Sequence, residues 1–170
     1  MYEILKLLLE ICLFKKGPQD VPYSIWLLRL FVLVYAGIRY LMLVMHTDHL
    51  HTFLQILVEI VLILAFSWLM LYINRKLDRF YQVSCAFIGT DTMLNFFVLP
   101  GVLSLEIGQG GWPVFIVMLV LLAWQCAVIA HIIHQSLDQN LFFSFGLSVF
   151  YLLASYQVIA VLFPEVASTH

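Results

Sequence analysis

Residues 24–46, 50–73, 80–102, 112–134 and 140–163 are five apolar stretches, each near the ~20 residues that a helix needs to cross a hydrocarbon layer of ~30 Å. The links between them are short, so neighbouring helices are expected to pack as antiparallel hairpins. Hydrophobic residues make up 64% of the chain and charged residues 11%, far from the roughly 25% charge of a soluble domain. The expected fold is an all-α polytopic membrane bundle of five transmembrane helices. It occupies a single membrane domain over residues 1–170, because no internal repeat or low-complexity segment divides it.

The net charge of -2, from 8 basic and 10 acidic residues, carries no basic footprint for nucleic acid and no polyacidic tail. Cys12, Cys85 and Cys126 are odd in number, far apart and set in apolar sequence, which suits small packing residues rather than a disulfide framework or a zinc site.

Residues 1–16 do not have the pattern of a secretory signal. A basic leading segment is missing and Glu3 and Glu10 interrupt the apolar run. Glu3, Lys6 and Glu10 instead fall at i, i+3 and i+7, one polar stripe on a helix whose other positions include Ile4, Leu5, Leu8, Ile11 and Cys12. An apolar run of fourteen residues reaches only ~21 Å at ~1.5 Å per residue, too short to span. It is expected to lie in the interface, with Lys15 and Lys16 facing anionic headgroups. Gly17-Pro18 ends it, and Asp20 and Ser24 are candidate caps for the first span.

Six of the eight Lys and Arg residues lie outside the spans: Lys6, Lys15 and Lys16 before the first, and Arg75, Lys76 and Arg79 between the second and third. By the positive-inside rule the N-terminus is expected in the cytoplasm and the C-terminus across the membrane, a bacterial inner membrane or an endomembrane. Tyr23, Trp26, Trp68, Tyr72, Tyr81 and Trp112 fall near span ends, where amphipathic rings favour the headgroup level.

An ionised side chain inside hydrocarbon costs at least ~2.5 kcal/mol, so each one calls for a partner or a function. Arg39 lies seven residues before the outer end of the first span and Glu59 nine residues after the start of the second. Both are then ~10–14 Å deep on antiparallel neighbours, natural partners for a structural ion pair or for a proton or ion relay. Arg29, one turn inside the basic end, can snorkel. Asp91 is eleven residues into the third span, ~16 Å deep and near the midplane, with Thr90 and Thr92 beside it and Asn95 one turn on. It either lines a water-filled cavity or is neutral or hydrogen-bonded to a neighbouring helix, with Gln125 and Gln157 as available partners.

His46, Asp48, His49 and His51 crowd the link between the first two spans. Imidazole and carboxylate could hold zinc or copper there, although the spacing matches no standard site and turn chemistry explains Asp48 equally well. No metal or other cofactor is expected. His131, His134 and Asp138 recur at i, i+3 and i+7, either exposed helix-end polarity or a pH-sensitive contact. Ser144, Gly146, Ser148 and Ser155 mark the fifth span as a site of close helix approach. The chain has no GxSxG elbow, HExxH, Walker loop or GxGxxG, so no catalytic residue is named.

In its topology the chain resembles the Yip1-domain family of small multi-pass membrane proteins, as do the stretch Gly17-Pro18-Gln19-Asp20-Val21-Pro22 before the first span and the segment Gln82 to Pro100 followed by a Trp-led span. The resemblance implies a helical, non-enzymatic membrane protein that works through lipids or partners, and the short loops, the lack of a soluble domain and the basic amphipathic entry helix point first to an assembly, scaffold or membrane-organising subunit. The alternative reading of the residues is a small proton- or ion-coupled permeation unit built on Arg39, Glu59 and Asp91, which five spans could form only as an oligomer. Expected partners are the bilayer and other membrane proteins or further copies of the chain.

Overall fold

A computed structural model describes residues 2–44, 48–106 and 111–163. They form six α-helices and two short 3-10 turns, with no strand among the described residues: α1 (Tyr2–Cys12), α2 (Ile25–Leu43), α3 (His49–Ile73), α4 (Phe80–Glu106), α5 (Trp112–Leu137) and α6 (Leu141–Leu162). Helices α2 to α6 are each long and apolar enough to cross a membrane.

The boundaries differ from the sequence expectation where local chemistry intervenes. Helix α1 stops at Cys12 rather than at residue 16, because Phe14 adopts a left-handed φ of 61° and the Lys15 N–H turns back to the Glu10 carbonyl at 2.8 Å. Ser24 caps α2, accepting from the Leu27 N–H at 3.4 Å. Asp20 does not cap that helix; it closes the preceding turn by accepting from the Gly17 N–H at 3.1 Å. Helix α4 continues through Pro100 to Glu106, past the expected end at residue 102. A proline removes one backbone donor, and in an apolar bundle neighbouring groups cover that loss.

Four helices close a ring, in which α4 packs on α5, α5 on α6, α6 on α3 and α3 on α4; α2 lies outside it, against α3 and α4. Small buried side chains let these helices approach: Ser67 and Ser84 on α3 and α4, Ser144 and Ser148 on α6. The Cys126 thiol sits 3.3 Å from the Ser148 hydroxyl, and all three cysteines are free and buried. Gly146 has open space beside it, so the close approach of α6 depends on its serines.

Helix α1 is seated on α4 and α5, burying Leu8, Ile11 and Cys12. A Cβ on Gly89 would lie 2.7 Å from Leu8 Cδ2 and 3.4 Å from the Phe31 ring, so only glycine fits this crossing without a shift. The Trp124 indole N–H donates to the Cys12 carbonyl at 3.0 Å.

At the end of the bundle that carries the basic loop, His131 Nε2 lies 3.0 Å from the Lys16 carbonyl. Gln82 Nε2 donates to the Val21 carbonyl at 2.9 Å, and Lys76 pairs with Asp138 at 2.5 Å. The hydrogen bond from Lys76 holds the Asp138 carboxyl below its ordinary range. A depressed carboxyl stabilises the fold above the unfolded value of ~3.9 and loses that contribution as pH falls through the lowered folded value. Asp138 is exposed, so salt screens the contact. Asp138→Asn is therefore expected to lower the melting temperature slightly at neutral pH and low salt and to leave it unchanged in high salt.

Candidate functional site

Glu59, Asp91, Asn95 and Gln125 line one cavity of about 180 Å³ inside the ring of α3, α4, α5 and α6, with two side chains of α2 entering from outside. Those two are Tyr35 and Arg39, one helical turn apart and therefore on one face of α2. Arg39 holds Glu59 of α3 in a two-pronged ion pair: Nε donates to Oε2 at 2.7 Å and Nη2 donates to Oε1. The Tyr35 hydroxyl adds a bond to Glu59 Oε2 at 3.1 Å. Gln55, a turn before Glu59, donates to Oε1 at 3.4 Å. The Glu59 carboxylate thus accepts four donors, which is about the number its lone pairs can take.

Asp91 is a different kind of carboxyl. Gln125 of α5 donates to its Oδ1 at 2.6 Å, and that donor is not a cation. With Arg39 already neutralised by Glu59, the site holds two carboxyl groups against one guanidinium, so Asp91 either carries a proton or faces the cavity as an unbalanced anion.

Asn95 and Thr90 also line the cavity. The Thr90 hydroxyl is turned to its own helix, donating to the Ala86 carbonyl at 2.7 Å. Thr92 does the same toward Ile88 and is not part of the lining. Gln157 is exposed on the outer face of α6, so of the two glutamines considered for Asp91 only Gln125 reaches it. From α6 the cavity takes Tyr151 and Ser155.

On the basic side the lining ends at the rings of Phe87 and Tyr151, with Phe66 packed behind them. Phe66 and Tyr151 are 4.5 Å apart between centroids, Phe66 and Phe87 6.1 Å, and Phe87 and Tyr151 6.3 Å. Phe87 lies seven residues inside α4 and Phe66 seven residues before the end of α3, so these rings stand ~10 Å from the basic end. In the other direction the lining includes Arg39, four residues from the end of α2, and Ile159, three from the end of α6, within ~6 Å of the opposite end. The lining thus runs from the level of Phe87 and Tyr151 almost to the end of the bundle opposite the basic loop.

The histidine loop shows no such convergence. His46 lies outside the described residues. Asp48 opens α3 without a side-chain cap bond, His49 stacks on Tyr40 with its Nδ1 2.9 Å from the Tyr40 hydroxyl, and His51 packs against Phe163. Among the described residues no group of three His, Cys, Asp or Glu side chains is placed to hold a metal. At the basic end His131, His134 and Asp138 are each engaged separately, by Lys16, Gln139 and Lys76.

Tyr35, Gln55, Phe87 and Tyr151 were not among the residues singled out from the sequence. Tyr35 and Gln55 each precede a buried charge by four residues, a spacing that places them on the same helix face. Comparison with known protein families, with characterised proteins and with solved structures finds no match to this chain.

Proposed function

We propose that the protein is a small proton- or cation-coupled membrane transport unit in which Asp91 is the exchanging group and Arg39–Glu59 is a fixed, neutral pair that holds α2 against α3. The basic loop faces the cytoplasm, α1 packs along α4 and α5 as deep as Gly89 and Trp124 rather than in the interface, and the cavity is reached from the opposite side. The observation that carries this reading is the cavity itself. A carboxyl with only an uncharged donor, in a midplane space bounded by rings on one side, suits a group that gains and loses a charge during a cycle.

Reconstituted vesicles containing a pH-sensitive dye test it. An imposed cation or potential gradient is expected to drive proton movement in the wild type and to fail in Asp91→Asn. Unchanged flux in Asp91→Asn, with a lower yield of folded protein, assigns Asp91 to structure instead.

A second reading, assembly or membrane organisation as the Yip1-domain resemblance implies, is favoured by Gln157. Its amide is exposed on α6 five residues from the helix end, ~8 Å inside the span. Lipid offers it no hydrogen bond, whereas a second helix does. Gln157→Leu is expected to reduce a defined oligomer or complex recovered in mild detergent; an unaltered elution profile removes this reading.

A further inference from the structure

We propose that the cavity receives a small ammonium-type organic cation, whose charged head replaces the proton on Asp91. This rests on the transport reading above and names the substrate class for the same site.

Charge comes first. Glu59 is saturated by Arg39, Tyr35 and Gln55, so it offers a ligand nothing. Asp91 receives Gln125, which fills one of the roughly four acceptor sites of a carboxylate. The charged and titratable groups facing Asp91 are Tyr35 and Arg39 from α2, Glu59 from α3 and Tyr151 from α6. Gln125 from α5 and Asn95 on its own helix are uncharged. The one guanidinium in this set is paired with Glu59, so an Asp91 carboxylate has no counter-charge among the groups that face it and a cationic ligand would supply one.

The shape of the site then selects the kind of cation. A bare metal ion takes about six oxygen ligands at short range. Here the carboxylate is accompanied by two amides and the Ser155 hydroxyl, the Thr90 hydroxyl being turned to its own helix, and is otherwise surrounded by the rings of Tyr35, Phe87 and Tyr151 and by aliphatic side chains. Ring faces attract ammonium groups and tolerate their methyl or methylene substituents. The volume of about 180 Å³ admits a molecule of about five to eight heavy atoms, since cavities of about 150 Å³ hold benzene. The exchange is balanced: the carboxylic acid of Asp91 releases one proton to solvent, and its carboxylate pairs with one ammonium ion. The same head could arrive as a free amine or on a zwitterionic lipid entering from the side.

The test uses the full chain in detergent, titrated with tetramethylammonium chloride and with ethanolamine hydrochloride, against sodium chloride at equal ionic strength. Calorimetry is expected to show saturable binding of the organic cations at about pH 8 and binding weaker by at least about tenfold at about pH 5, where the proton competes. Asp91→Asn is expected to abolish it. Tyr151→Leu is expected to weaken it on the order of tenfold while Tyr151→Phe, which keeps the ring, changes it little. That tyrosine pair and the pH contrast decide the matter if Asp91→Asn does not fold.

Equal heats with sodium, binding retained in folded Asp91→Asn, or no difference between the two Tyr151 variants overturns the proposal. In nanodiscs, weaker apparent affinity for tetramethylammonium when phosphatidylethanolamine replaces phosphatidylglycerol assigns the head group to lipid; equal affinity assigns it to a free amine. Proton flux without ammonium binding sinks this inference and keeps the transport reading. Ammonium binding without flux does the reverse.

Discussion

Arg39→Met is expected to destabilise the folded chain by ~3–5 kcal/mol, because it leaves Glu59 buried without its counter-charge. The Glu59 side chain is 6% exposed and that of Arg39 21%, and both oxygens of Glu59 are engaged by the guanidinium. Glu59→Met is expected to cost a similar amount, by stranding the cation. The double variant Arg39→Met/Glu59→Met places two apolar side chains in an apolar interior and is expected to recover most of the loss, since exchanging a complete buried pair for hydrophobic residues is often neutral. Thermal unfolding of the three variants in one detergent gives the coupling energy directly. Additive losses in the double variant would show that the two residues act independently. The double variant also separates the two parts of the site. If Asp91 is the exchanging group, proton flux survives removal of a pair that serves only to fix α2 on α3.

The Arg39–Glu59 contact was legible in the sequence because both residues are counted from the same turn between adjacent antiparallel helices. Depth along a helix follows from residue number, and depth alone was enough there. Asp91 needed more: counted from the basic end, Asp91 is eleven residues deep, Gln125 nine and Gln157 seventeen, so depth at ~1.5 Å per residue already favoured Gln125, and helix rotation completes the choice. On α6, Ser144, Ser148, Tyr151 and Ser155 share one face and Ser155 lines the cavity. Gln157 is two residues further, ~200° around the helix at 3.6 residues per turn. The serines therefore already marked the inward face, and their reading as packing residues concealed that Gln157 must point away.

The cavity was not legible. Its existence depends on how α3 and α6 are spaced across the ring, a tertiary property, and Phe87 and Tyr151 bound it from two helices. In a chain with 14 Phe and 8 Tyr residues, nothing in the local pattern distinguishes those two rings. The five spans, by contrast, were fixed by composition and length, and the described helices depart from them chiefly at their ends. There a left-handed residue or an accommodated proline decides where the backbone bonds stop.

The second large effect is expected at Gly89. Gly89→Val puts branched carbon where Leu8 and Phe31 already stand, at 2.7 Å and 3.4 Å from the first added atom. Overpacking of this kind costs about 1–3 kcal/mol, or is relieved by expelling the smaller element. Here the smaller element is α1, held by Leu8, Ile11, Cys12 and the Trp124 indole. Hydrogen exchange across Tyr2–Cys12 is expected to rise sharply in Gly89→Val. Gly89→Ala is expected to behave nearly as wild type, because the end of a leucine side chain can yield and alanine favours the helix by about 0.5–1 kcal/mol. Adding Leu8→Ala to Gly89→Val is expected to restore protection by vacating the contested space. If protection in Gly89→Val matches the wild type, α1 is not seated through this contact. Two residues beyond Gly89, and so nearly opposite on α4, Asp91 faces the cavity with Gln125 at 2.6 Å. Displacing α1 therefore leaves the cavity wall in place, and proton flux in Gly89→Val is expected to stay near the wild-type rate. A flux that falls together with α1 protection would instead make the N-terminal helix part of the gating machinery.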